Sequence, residues 1–237
     1  MKIDLFIKSY HKDFVWLKYC LASIKKFVTG YNELIIIIPQ GERHLLDVYD
    51  LPDRTFIHEV DEHGNGYLFQ QWCKMNADSW CSGDFIAFTD SDCIFLEPVD
   101  YQKLIRDGKS EILYTAYFDA NGTNQMGDAI CWKAATERFL KQPVDFEFMR
   151  RNNLIYRRDT LVNLKNWFPR DLKRYILSQG TFSEFNALGA FAFVNEKEKY
   201  NFVNTSDWTF VPTPFKQYWS WGGLTPEIEN EIKAVLQ

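Results

Sequence analysis

The chain has 237 residues, 46% hydrophobic and 25% charged, with a net charge of −5. This is the composition of an ordinary soluble globular protein with room for a large core, and the acidic balance excludes a chain whose whole surface binds polyanions. The five cysteines are scattered, with none in a CxxC pair, which predicts reduced thiols in a cytosolic protein and argues against a zinc site.

Aromatic residues make up 17% of the chain, as 8 Trp, 12 Tyr and 20 Phe. Most belong in a Phe-rich core, and some are expected to wall a flat or sugar-like ligand. The N-terminus has no signal-peptide core. The longest aliphatic run, Leu34–Pro39, is too short to span a bilayer, so a cytoplasmic protein without a transmembrane segment is expected.

In chain order, Ile3–Tyr10 reads as a first strand. Asp13–Val28 reads as a helix with Asp13 as its N-cap and Gly30 past its end. Glu33–Pro39 is a continuous aliphatic run, as expected of a central parallel strand covered on both faces. A short helix over Glu42–Tyr49, a strand over Arg54–Val60 and a turn over Glu62–Gly66 follow.

Tyr67–Cys81 is predicted to be a helix carrying Gln70, Gln71 and Lys74. Asp84–Asp90 is the fourth strand, Pro98–Gly108 a helix and Glu111–Asp119 the fifth strand. This alternation predicts a mainly parallel, Rossmann-type α/β sheet flanked by helices, with ligands beyond the carboxyl ends of the strands.

The second half is less regular. Ala120–Asp128 reads as a loop and Trp132–Gln142 as a helix. Asn153–Phe168 reads as a short strand and then a helix capped by Asp159, continuing through Pro169–Ser178. A helix over Thr181–Phe193, a late strand within Asn201–Pro212, an aromatic loop at Tyr218–Gly223 and an exposed helix at Pro226–Leu236 complete the chain. One domain is expected, with residues 1–119 binding the donor and 120–237 the acceptor. Between Arg138 and Tyr175, ten Lys/Arg stand against four Asp/Glu, a candidate docking face for an acidic acceptor.

The chemistry centres on Asp90-Ser91-Asp92 at the end of an apolar strand. Charges there are costly unless something offsets them. Residues i and i+2 of a strand share a face, so the two carboxylates project together if the extended path persists through Ser91. A hard cation, Mn²⁺ or Mg²⁺, takes such oxygens together with substrate phosphates.

The segment "FIAFTDSDCIF", the strand and helix order before it and "GYLFQQWCKMNAD" upstream resemble the GT-A class of nucleotide-sugar-dependent glycosyltransferases. The chain is similar to small glycosyltransferase-like proteins of bacteria and phages, some associated with sugar modification of hydroxymethylated DNA bases. The resemblance implies a DxD motif in which Asp92 ligates the metal and acts in catalysis, while Asp90 holds the metal shell or the ribose. It implies that Lys8, Ser9 and Tyr10 receive the nucleotide, and that Tyr67, Gln70, Gln71 and Lys74 reach the donor, a UDP-sugar first.

It further places Glu184 near the acceptor as the first candidate for a base, with Asp119 and Asp128 behind it. All four histidines, His11, His44, His58 and His63, lie in the first half, so no late His completes the metal shell. Water, Asp207 or the Tyr218–Gly223 loop would do so. Trp219 and Trp221 suggest a segment that closes over the donor, with Trp221 stacking on it. Arg150, Arg151, Arg157 and Arg158 would meet the acceptor: a glycan, a lipid-linked sugar or DNA, the last with salt-sensitive binding. The alternatives are a phosphatase or phosphotransferase of the haloacid-dehalogenase type with Asp90 as nucleophile, and a nucleotide-sugar-binding module without turnover.

Overall fold

The computed structural model describes residues 1–150, 154–208 and 213–237. The chain forms two compact units. Met1–Glu62, Trp80–Leu104 and Thr213–Gln237 make the first, and His63–Ser79 with Ile105–Pro212 the second.

The first unit is α/β, built on parallel strands in the order Phe85–Phe88, Ile3–Lys8, Leu34–Pro39, Thr55–Val60. Leu5 stands opposite Leu34 and Ile7 opposite Ile36. Leu34 through Ile38 are all buried, which explains their unbroken aliphatic sequence. Helix Phe14–Phe27 buries Trp16, Leu17, Cys20, Leu21 and Ile24 at helical spacing and packs on the strand Cys93–Phe95. Ser23 of this helix accepts the Phe95 amide through its hydroxyl at 3.0 Å.

Cys93–Phe95 pairs antiparallel with Phe215–Gln217, which brings the late segment to the carboxylate pair. Asp4, fully buried, accepts the amides of Ser82 (2.8 Å) and Gly83 (2.6 Å) and so ties down the turn ahead of Phe85–Phe88. The final helix Pro226–Leu236 is capped by Thr225 and buries only Ile232.

The second unit joins Tyr200–Asn204 parallel to Ser110–Ala116, which pairs antiparallel with Phe146–Glu147. Helix Glu184–Asn195 is apolar on nearly every side and buried from Glu184 through Ala192. It packs against helices Gly66–Met75, Cys131–Leu140 and Arg158–Trp167. Gly189 lets it lie on Phe148: a Cβ there would sit 2.3 Å from the Phe148 Cβ.

Several sequence expectations are corrected. No α-helix covers Pro98–Gly108. Val99–Asp100 pairs parallel with Val28–Thr29, a 3₁₀ turn spans Tyr101–Leu104, and Asp107 and Gly108 take positive φ. Pairing commits the first two residues to extended backbone, and burial of Tyr101 turns the next ones inward. The fifth strand, Ser110–Ala116, lies in the second unit's sheet beside Tyr200–Asn204, not in the first unit's sheet.

Glu42–Tyr49 holds only a 3₁₀ turn at Arg43–Leu46, and the predicted helix Tyr67–Cys81 ends at Met75. Asp159 does not cap its helix: Arg157 is the cap residue and Asp159 pairs with it. Leu172–Leu177 is a separate helix capped by Asp171. Part of the late strand expected in Asn201–Pro212 lies outside the described residues. No helix among the described residues is long and apolar enough to cross a membrane.

Candidate nucleotide and cation site

In the first unit, the first three sheet strands add outward on one side, and Phe85–Phe88 returns to the other side of Ile3–Lys8. The crevice beyond the carboxyl ends of two such strands is where open α/β sheets bind ligands. Lys8-Ser9-Tyr10 leaves one strand there and Asp90-Ser91-Asp92 the other.

Lys8 is buried and pairs with Glu62 at 2.7 Å, its Nζ also 5.7 Å from the Tyr10 ring centre. Ser9 is 1% exposed, and its hydroxyl meets no hydrogen-bond partner among the described residues. Buried hydroxyls are normally bonded, so this is a group for a ligand to satisfy. His11 donates its amide to Glu42 at 2.8 Å, and its ring Nδ1 also meets that carboxylate.

The strand before the carboxylates stops at Phe88, earlier than the sequence suggests. Cys93 donates its amide to the Asp90 carbonyl at 3.1 Å and closes a turn, so the pair sits on a bend and not on an extended path. The bend keeps Asp90 and Asp92 within each other's field.

Asp92 is 7% exposed. Its Oδ2 accepts the Ser220 amide at 2.9 Å, its Oδ1 accepts Gln217 Nε2 at 3.3 Å, and its carbonyl accepts the Tyr218 amide at 3.1 Å. Burial and then Asp90 push its carboxyl up, against the pull of Ser220 and Gln217, and Asp13 adds to the rise. Asp13 is pushed up by burial and by Asp90, while the Ser220 side chain and Lys8 pull it down. Asp13 occupies the N-cap position of its helix but makes no capping bond.

Among the described residues, no group of three or more His, Cys, Asp or Glu could hold a metal ion. Mg²⁺-type sites often rest on one or two carboxylates plus waters and substrate phosphates. Two crowded, partly desolvated carboxylates fit such an open site and do not fit an all-protein cage. Beside them Trp219 is half-exposed and Trp221 is 85% exposed, their ring centres 6.5 Å apart. Trp219 takes φ 56°, unusual for a bulky residue.

The remaining sequence candidates lie in the second unit. Asn65 caps helix Gly66–Met75. The Tyr67 hydroxyl donates to the Phe182 carbonyl at 2.8 Å, and burial with nearby Glu184 pushes its phenol up to about 12. Gln71 accepts the Glu184 amide at 3.0 Å, and Gln70 is half-buried.

Lys74 Nζ meets Glu184 Oε1 at 2.9 Å, with each side chain 3% exposed, and lies 4.8 Å from the Phe185 ring centre. Arg157 is engaged with Asp159 at 3.0 Å; Arg158 opens its helix half-buried, and Arg150 is half-buried. Arg151 lies outside the described residues. Asp119 caps its own loop, and the Thr123 amide holds its carboxyl below the usual range. Asp128 is exposed in a 3₁₀ turn, and Asp207 is exposed in a turn of the second unit.

Sequence reasoning did not single out Gln217 and Ser220, which bond to Asp92, or Asp13, whose charge acts on it. Asp13 carried the pattern of a helix cap, which hid its other use. Ser220 entered the sequence reading only as part of the Tyr218–Gly223 loop named for the metal shell, between its two tryptophans.

No family model matches the chain, and no curated protein matches it. Among solved structures, the chain is similar to the crystal structure of 4-diphosphocytidyl-2C-methyl-D-erythritol synthase from Anaerococcus prevotii DSM 20548. The identity is 12% over 99% of this chain and 94% of that one, with a TM-score of 0.47. Fold and activity separate readily at such distances, so the chemistry of the site has to carry the function.

Proposed function

We propose that the chain is a cation-dependent glycosyltransferase that takes a nucleotide-diphosphate sugar, a UDP-sugar first, and passes the sugar to an acceptor hydroxyl. The observation that carries this reading is the buried Asp92 carboxylate, crowded by Asp90 and Asp13, at the point where the strand order reverses. Three neighbouring acids there favour a partner of positive charge.

Asp90 and Asp92 would hold Mn²⁺ or Mg²⁺. Such an ion, when bound, neutralises charge on a departing diphosphate. Ser9 offers the unsatisfied hydroxyl, and Lys8 and Tyr10 flank it, so this strand end suits the nucleoside. Trp221 offers an exposed ring for stacking. Within the second unit, Glu184 is proposed as the group that takes the acceptor's proton, with Gln71 and Lys74 that hold it and Tyr67 and Gln70 on the same helix as its surroundings. Arg150, Arg151, Arg157 and Arg158 are proposed to face the acceptor, a glycan or lipid-linked hydroxyl or a hydroxymethylated DNA base.

A panel of nucleotide sugars, read by release of free nucleoside diphosphate with and without EDTA, tests this reading. Release with one donor class, lost with EDTA, is expected. A titration of UDP with and without Mn²⁺ isolates the pair: Asp92→Asn should remove the metal-dependent part of the affinity. Equal affinity in parent and variant rejects the metal role.

A further inference from the structure

In the folded second unit, the basic stretch between Arg138 and Tyr175 divides into paired and unpaired charge. Arg157 is taken by Asp159 at 3.0 Å and Lys165 by Asp78 at 2.6 Å, while Lys173 lies over the Trp72 ring, 4.4 Å from its centre. Arg138, Arg170 and Arg174 are all exposed, and none of the three meets a carboxylate among the described residues. Arg138 and Arg170 both pull the Tyr175 phenol down, against the rise that its burial causes, so two guanidinium groups converge on one ring. That ring packs on Phe168 at 5.0 Å and on Phe139 at 5.8 Å, and Phe139 meets Trp167 at 6.1 Å. Trp167 remains 39% exposed. Arg174, beside Tyr175 in the chain, lines an open hollow of about 420 Å³ with Lys173, Leu177 and Ser178. Asp171 also borders it, its carboxylate accepting the Arg174 amide at 3.0 Å as the cap of the short helix.

We propose that this surface, Arg138, Arg170 and Arg174 around Tyr175 with Trp167 in the same aromatic cluster, docks the protein on an anionic lipid membrane. Docking of this kind needs neither sugar transfer nor a bound metal. A chain of net charge −5 is repelled by an anionic surface except where unpaired cations gather, so the patch both holds and orients it. Arginines within a Debye length of such a surface are drawn to its phosphates, and Trp and Tyr rings settle at the level of the headgroups. The hollow beside Arg174 is open to a headgroup. A nucleic acid fits less well, because stacking on a base needs a ring that stands free, and Tyr175 and Trp167 both pack on Phe139 and Phe168.

Co-sedimentation of the full chain with vesicles tests it, comparing phosphatidylcholine alone with phosphatidylcholine holding about one third phosphatidylserine. The parent should bind the anionic vesicles only, and less as salt rises. The triple variant Arg138→Gln/Arg170→Gln/Arg174→Gln should bind about 100-fold more weakly, roughly five-fold for each charge. Lys at the same three positions should retain most of the binding. A control, Lys18→Gln/Lys103→Gln/Arg106→Gln, removes the same charge from exposed positions elsewhere and should bind like the parent. All these variants should melt with the parent, since every changed residue is exposed. No binding of the parent to anionic vesicles, equal binding to neutral ones, or equal losses in the two Gln triples overturns the proposal. So does binding to a single-stranded oligonucleotide without binding to vesicles.

Discussion

Glu184→Gln is the most informative single substitution, because it separates folding from chemistry. Glu184 and Lys74 are each 3% exposed and meet at 2.9 Å. Gln keeps the volume and leaves the backbone amide bonded to Gln71, but it removes the carboxylate charge that faces Lys74 at 2.9 Å in a buried site. Removing one partner of a buried pair costs about 3–5 kcal/mol. In a chain of this size, that corresponds to a fall in Tm of roughly 6–20 °C.

The double variant Lys74→Met/Glu184→Leu removes both charges, and such replacements are often neutral or stabilising. Urea unfolding followed by circular dichroism should therefore show strong non-additivity, with the double variant far more stable than the sum of the single changes. A loss below about 1 kcal/mol for Glu184→Gln, with additive behaviour in the double, would refute a tightly coupled buried pair. Turnover decides the second half. If Glu184 takes the acceptor's proton, Glu184→Gln stays inactive at a temperature where it is still folded.

Asp90→Asn tests the crowding of acids by its pH dependence. The raised carboxyls of Asp92 and Asp13 make the folded state bind protons more tightly than the unfolded chain just above the ordinary value of 3.8. Stability therefore falls as pH rises through that window, and the repulsion is present in full at neutral pH. The variant should raise Tm at pH 7 and change it little below about pH 4, where the carboxyls are protonated; an equal shift at both would reject the electrostatic account. Trp221→Ala should leave Tm unmoved and weaken donor binding roughly tenfold, about what one stacked ring contributes, as read by calorimetry. Gly189→Ala should cost about 1–3 kcal/mol despite the better helix propensity of Ala, because its Cβ would overlap Phe148; unchanged urea midpoints would show that the helix shifts to make room.

Much of the first unit's sheet was legible because its signals are local. Leu34–Pro39 could only be a strand covered on both faces, and the strand ends carrying Lys8 and Asp90 follow from chain order alone. Pro98–Gly108 failed because proline before and glycine after suggest a helix, whereas pairing with Val28–Thr29 is a contact across 70 residues of chain that no local pattern encodes. The carboxylate pair was visible, but the turn that shapes it was not, since apolar residues resume at Cys93–Phe95 and suggest an extended path straight through the aspartates. Ser220 was illegible for the same reason: it meets Asp92 only after Phe215–Gln217 has docked on Cys93–Phe95, and the field of Asp13 reaches Asp92 only because the helix that follows it packs on that same strand. The Lys74–Glu184 pair spans 110 positions, and each residue alone looks like a solvated helix charge.

The interleaving of segments has a consequence for synthesis. The first unit takes its closing strand and outer helix from Thr213–Gln237, a stretch synthesised after every other segment of the two units. At roughly 5–20 residues per second, the nascent sheet waits several seconds with its Cys93–Phe95 edge open. During that interval the second unit's segments have already emerged, so the order of maturation runs against the order of translation. A stop codon just before Thr213 would leave the later-numbered unit the more complete of the two.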